Sequence, residues 1–246
     1  TEEREGAMRY FLLETIKQYA REKLFEAKQA EAARDRHFIH YKNLTKGAWN
    51  AAFFATEEET QRLISIQVEL ENLRAAFEWG LQNHVQDTLQ LAASMAMNMS
   101  MMGGHLEGII MLKTALEKFR ALPPVEGEAN RLRKEIFVRG CFSLGMLLQG
   151  TNEIMSSRSI LQEAVAIARE LGDKHLLGMG LEMYANTSAM IKADDTPAAA
   201  QEGLEIFREL NYSPGIWMAY SNLARWEGIS GNFQESEKYV ALAQES

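Results

Sequence analysis

The chain has 246 residues, 46% of them hydrophobic and only 4 of them Pro, enough apolar mass for a sizeable core in one or two domains or one long repeat array. Its net charge of −8, from 34 acidic and 26 basic residues, has the wrong sign for a surface that neutralises phosphates, so direct nucleic-acid binding by this segment is not expected. A single cysteine, Cys141, excludes an intrachain disulfide and a cysteine-based zinc knuckle, and suits a reducing, cytoplasmic setting.

Taken in order, the chain opens on Thr1 with no basic, apolar and small-residue sequence of a secretory signal, and reads as a piece of a longer protein. Met8 to Leu13 is the one β-like run and predicts a short strand near the N-terminus. From Thr15, the stretch TIKQYAREKLFEA sets Ile16, Tyr19, Ala20, Lys23 and Leu24 on one stripe of an amphipathic helix. A second helix is expected over Ala32 to Phe54. A long third one is expected over Glu59 to Gln82, where Leu63, Ile66, Leu70, Leu73, Phe77 and Leu81 recur at three- and four-residue steps. The apolar window from Leu89 to Met102 is interrupted by Gln90, Asn98 and two serines, and is too short to cross a bilayer.

Self-similarity governs the second half. AIARELGD ends at Asp173 and EIFRELNY at Tyr212, with Leu171 and Leu210 standing 39 residues apart, a period that suits a pair of helices. On that period, helix A of each unit offers a large residue, then a large and a small one three and four positions on. The sets are Cys141, Leu144 and Gly145; Leu181, Tyr184 and Ala185; and Tyr220, Leu223 and Ala224. Helix B offers Ser157, Leu161 and Ala164, then Thr196, Ala200 and Gly203, then Ser236, Val240 and Ala243. Small residues let the two helices of a hairpin approach, and large ones fill the groove between hairpins.

This pattern resembles tetratricopeptide repeats, with Gly231, Asn232 and Phe233 where that family turns between its helices. The unit is longer than the ~34 residues usual there, extended by the ELGD-type connector. The fold class expected is all-α, a right-handed α-solenoid of antiparallel helix pairs with one short strand near the N-terminus.

Extended units of this kind resemble the C-terminal repeat region of bacterial multidomain signal-transduction ATPases that regulate transcription, including relatives of the maltose-regulon activator and LuxR-type or antibiotic-regulatory proteins. Four phrases carry the resemblance in the same order: YFLLETIKQYA from Tyr10 to Ala20, the pair Arg36 and His37, VELENLRAAFEWGL from Val68 to Leu81, and the turn Gly104, His105 and Leu106. The resemblance implies that residues 1–31 end a winged-helix-like segment with its connecting helix and that residues 32–246 form the repeat domain. It implies an ATPase module upstream of Thr1.

The residues themselves show no site of chemistry. No Gly-rich loop closes on Lys and Ser or Thr, and Gly103 and Gly104 suit a helix-to-helix turn. His37 and His40 lack a third metal ligand at suitable spacing, Cys141 occupies the large position of helix A rather than a nucleophile's setting, and Glu57, Glu58 and Glu59 suit a helix N-terminus. No enzyme activity, cofactor or metal is therefore expected.

Met95, Met97, Met99, Met101 and Met102 crowd into eight positions, and two readings stand: the core of a helix surrounded by neighbours, or an adaptable binding surface. A solenoid's A helices line a groove suited to a protein or peptide partner, or to another domain of the same protein. Outward positions of helix A fall on Arg139, Phe142 and Met146, then Met179, Glu182, Asn186 and Met190, then Met218, Ser221 and Arg225. The expected role is a non-catalytic regulatory or sensor domain that binds a partner or effector and controls the ATPase module. The alternatives are a constitutive protein-protein scaffold and a small-molecule effector domain.

Overall fold

In the computed structural model of the chain, residues 2–4, 7–9, 13–47 and 57–246 are described. Two short strands, β1 (Glu2–Arg4) and β2 (Ala7–Arg9), pair antiparallel with Glu2 opposite Arg9 and Arg4 opposite Ala7. The strand predicted over Met8 to Leu13 is met only at its start: residues 10–12 lie outside the described residues, and Leu13 directly precedes helix α1 (Glu14–Glu26). Ile16 and Tyr19, on the amphipathic stripe of α1, stay 49% and 60% exposed.

Helix α2 spans Ala30–Leu44, so it starts two residues before Ala32 and ends well before Phe54. Thr45 closes it by donating its hydroxyl to the carbonyl of Lys42 at 3.0 Å, and residues 48–56 lie outside the described residues. The single long helix expected over Glu59 to Gln82 is two, α3 (Glu57–Val68) and α4 (Leu70–Asn83). They part at Glu69, whose carboxylate accepts from Tyr41 Oη at 3.2 Å and from Asn72 Nδ2 at 2.6 Å. Apolar spacing is blind to such a break, because Ile66, Leu70 and Leu73 are buried on both sides of it.

The remainder is four helical hairpins. They are α5 (Val85–Met101) with α6 (His105–Arg120), α7 (Gly127–Gly150) with α8 (Ile154–Leu171), α9 (Lys174–Ala189) with α10 (Thr196–Glu209), and α11 (Ser213–Ser230) with α12 (Phe233–Glu245). The first helix of each pair packs on the first helix of the next, and each second helix on its own partner, which is the stacking of an all-α helical repeat. Leu89, Leu112, Leu116, Leu147, Phe142 and Phe207 are wholly buried in one continuous core.

The turn inside each hairpin is built the same way. A residue in the left-handed region follows the first helix: Gly103 (φ 76°), Asn152 (φ 62°), Lys192 (φ 53°) and Gly231 (φ 88°). The next amide then reaches back five residues, from Gly104 to Met99 O (2.7 Å), Glu153 to Leu148 O (2.9 Å), Ala193 to Ser188 O (3.0 Å) and Asn232 to Glu227 O (2.9 Å). This is a Schellman closure, which satisfies carbonyls that the helix end leaves free.

Two of the phrases that carry the family resemblance are joined in space. Arg74 of the VELENLRAAFEWGL run grips Glu107, just past the Gly-His-Leu turn, with Nε to Oε1 at 2.5 Å and Nη2 to Oε2 at 2.8 Å. That fork holds the Glu107 carboxyl below its usual range. Trp79 of the same run donates to Asp35 Oδ1 on α2 at 2.8 Å, and His84 Nε2 sits 2.9 Å from the same oxygen while its ring stacks on Phe38.

Candidate functional site

The small and hydroxyl residues of the repeat signature decide how each hairpin closes. Ser157 Oγ donates to the carbonyl of Gly145 at 2.8 Å, and Ser236 Oγ to that of Ala224 at 2.8 Å, the same bond in the second and fourth hairpins. A Cβ on Gly145 would lie 2.8 Å from the Leu161 side chain, which would have to shift to admit it. In the hairpin between them, Thr196 donates instead within its own turn, to Ala193 O at 2.7 Å.

With the hairpins fixed, the positions expected to face outward from helix A form three parallel rows: Arg139, Met179 and Met218; Phe142, Glu182 and Ser221; Met146, Asn186 and Arg225. Three of them, Phe142, Met179 and Glu182, are buried within the stack. Phe142, Met179 and Glu182 are at most 1% exposed, while Arg139, Met146, Asn186, Met218 and Ser221 are half-buried and Met190 and Arg225 are exposed. The reason is a large-to-small match between successive first helices: the Phe142 ring lies where a Cβ on Gly180 would come within 2.7 Å of it. One row further, Asn186 Nδ2 donates to Gln149 Oε1 at 3.1 Å, and Gln149 Nε2 to Thr187 Oγ1 at 2.6 Å.

Glu182 is the chemically unusual member. Asn222 Nδ2 on α11 donates both to its Oε2 at 2.9 Å and to its backbone carbonyl at 3.0 Å, while Oε1 has no partner among the described residues and rests against Gly203. Burial raises its carboxyl well above the usual range, only partly offset by the Asn222 bond. A buried acid bonded across to the next first helix joins the two hairpins.

The third row member is in a different setting. Ser221 and Arg225 on α11, with Trp217 and Ile229 on the same helix and Val240 and Gln244 on α12, line an open cleft of about 570 Å³. Val240 was singled out from the sequence only as a helix B repeat position and Trp217 not at all, although the repeat register places Trp217 one unit after Gly178.

The methionine cluster divides between both of its readings. Met95 and Met99 are buried, Met97 is half-buried, and Met101 and Met102 are 72% and 55% exposed at the turn into α6. Cys141 is fully buried, which pushes its thiol far up. His37 and His40 both pack against the Tyr41 ring, with centroids at 4.6 and 4.9 Å. Among the described residues no group of three His, Cys, Asp or Glu is placed to hold a metal, and no helix is long and apolar enough to cross a membrane.

No family model matches the chain. It is similar to proteins of Mycobacterium tuberculosis and Mycobacterium bovis named as candidate HTH-type transcriptional regulators, at 32% identity over 173 residues, 69% of this chain. The chain spans only 19% of the length of those relatives.

Proposed function

We propose that the chain is a non-catalytic regulatory repeat domain, which binds a protein partner or effector and thereby controls an ATPase module in a bacterial transcriptional regulator. The observation that carries this reading is the similarity to much longer regulators, of whose length the matched stretch is 19%, joined to a fold made of stacked helix pairs. A stack of this kind has little chemistry of its own and much surface for recognition. The ELGD-type connector, the tetratricopeptide-like positions and the ordered phrases support a repeat region of the signal-transduction ATPase kind.

The mechanism is differential binding. A partner that favours one arrangement of the hairpins shifts the regulator between its resting and assembled states by the difference in its affinity for the two. Deleting residues 86–246 from the full regulator tests this directly. ATP turnover and self-assembly that change on deletion support the reading; both unchanged would overturn it. A partner retained with equal affinity in every nucleotide state would mark a constitutive scaffold instead.

A further inference from the structure

The methionines divide by place in the hairpin. Met95, Met99, Met111, Met179 and Met183 are buried in the core, whereas Met101, Met102, Met155 and Met190 are 72%, 55%, 65% and 45% exposed. All four exposed ones lie within three residues of the left-handed residue that closes a hairpin: Met101 and Met102 just before Gly103, Met155 three after Asn152, and Met190 two before Lys192. These three turns belong to hairpins with other helices packed before and after them, so the exposure is that of the lateral edge of the stack and not of its end. Leu106 and Ile191 are exposed beside the same turns, which leaves that edge apolar.

We propose that this turn edge is a site of oxidative modification, at which hydrogen peroxide converts Met101, Met102, Met155 and Met190 to sulfoxides while the core methionines and Cys141 are spared. A thioether needs no neighbouring base to react, so access decides which sulfur is oxidised. The sulfur lone pair attacks one peroxide oxygen, and an S–O bond forms as the O–O bond breaks. The departing hydroxide takes the proton left on the transferred oxygen and becomes water; sulfur loses two electrons and the peroxide gains them. Packing excludes the core members. A Cβ on Gly108 would come within 3.1 Å of the Met99 sulfur, so an added oxygen has no room on that side. Cys141 is the competing group by chemistry, but it is fully buried and its thiol is pushed far up, away from the thiolate that peroxide attacks. Each sulfoxide replaces an apolar side chain by a polar one. Oxidation at the turns therefore makes the apolar edge polar and leaves the core in place.

The test treats the folded chain with hydrogen peroxide and follows each methionine by peptide mass. Met101, Met102 and Met155 should gain one oxygen first and Met190 after them. Met95, Met99, Met111, Met179 and Met183 should react about tenfold or more slower, because their sulfurs meet peroxide only when the fold opens. Met99 and Met101, two residues apart on α5, give the sharpest comparison. In denaturant the order should vanish. Retention on a hydrophobic-interaction column should fall on oxidation with Tm unchanged, and a variant carrying Met101→Leu, Met102→Leu, Met155→Leu and Met190→Leu should keep its retention in peroxide. Similar rates for turn and core methionines, or an order that persists in denaturant, would overturn the proposal. So would unchanged retention of the oxidised chain, an equal fall in the Leu variant, or a Tm that drops as the turn methionines oxidise. None of these outcomes alters the deletion result above, so this site and the regulatory reading fail separately.

Discussion

Asn222 reaches across from α11 to hold Glu182 of α9 by two bonds from one amide nitrogen, at 2.9 Å to the carboxyl oxygen and 3.0 Å to the backbone carbonyl. Neighbouring hairpins are thus joined by a buried acid and an amide, one unit after the place where the Phe142 ring meets Gly180.

Glu182→Gln keeps the shape of that joint and removes its proton. Because burial raises the folded carboxyl above its unfolded value, the wild-type joint is fully present below the unfolded pKa and weakens as pH rises towards the folded one. The Gln variant should therefore gain Tm over wild type as pH increases, with the two closest near pH 4. Parallel melting curves across pH 4 to 8 would show that burial does not raise the Glu182 carboxyl.

Phe142→Ala leaves a cavity at the junction of α7 and α9, where the ring is fully buried. A loss of about 3–5 kcal/mol is expected in denaturant unfolding. Ser157→Ala, which removes one hydroxyl bond within a hairpin, should cost only about 1 kcal/mol. Similar costs for the two would mean that packing between hairpins does not dominate the stack.

Lys192 occupies the left-handed position that Gly103 and Gly231 take in other hairpins. Lys192→Gly should stabilise by about 1 kcal/mol, since a side chain there is strained, and Gly231→Ala should destabilise by a similar amount. Thermal unfolding of the two variants checks both signs.

Asp35 binds α2 to α4 and to His84. The His84 contact, and after it the Trp79 indole, lowers the Asp35 carboxyl below its usual value. Its contribution is present above the unfolded carboxylate pKa and is lost as pH falls through the lowered folded one. The protection factors of α2 amides, each rate taken relative to intrinsic exchange at that pH, should fall on acidification in wild type and already be low at neutral pH in Asp35→Ala. Unchanged α2 protection in the variant would remove Asp35 from the joint.

The repeat architecture was legible in the chain because the large-small order around Leu144 and Gly145, Tyr184 and Ala185, and Leu223 and Ala224 is imposed by helix approach, and those residues are buried. The break at Glu69 was not, because burial continues across it while the turn is marked by the side-chain hydrogen bonds that Glu69 accepts from Tyr41 and Asn72. Nor was the fate of Phe142, Met179 and Glu182. Periodicity says which residues share a row, but whether the row meets solvent or the next hairpin depends on how far successive units rotate. That rotation is set by pairs such as Phe142 with Gly180, far apart in sequence.

The central claim is that the row through Phe142 and Glu182 is closed by the next helix of the stack. Thiol labelling measures this at its three members, with Phe142→Cys, Glu182→Cys and Ser221→Cys each compared with the buried Cys141 of the same molecule. Rapid modification at position 221, with 142 and 182 protected as strongly as Cys141, is the expected result. Comparable rates at all three positions would contradict the account.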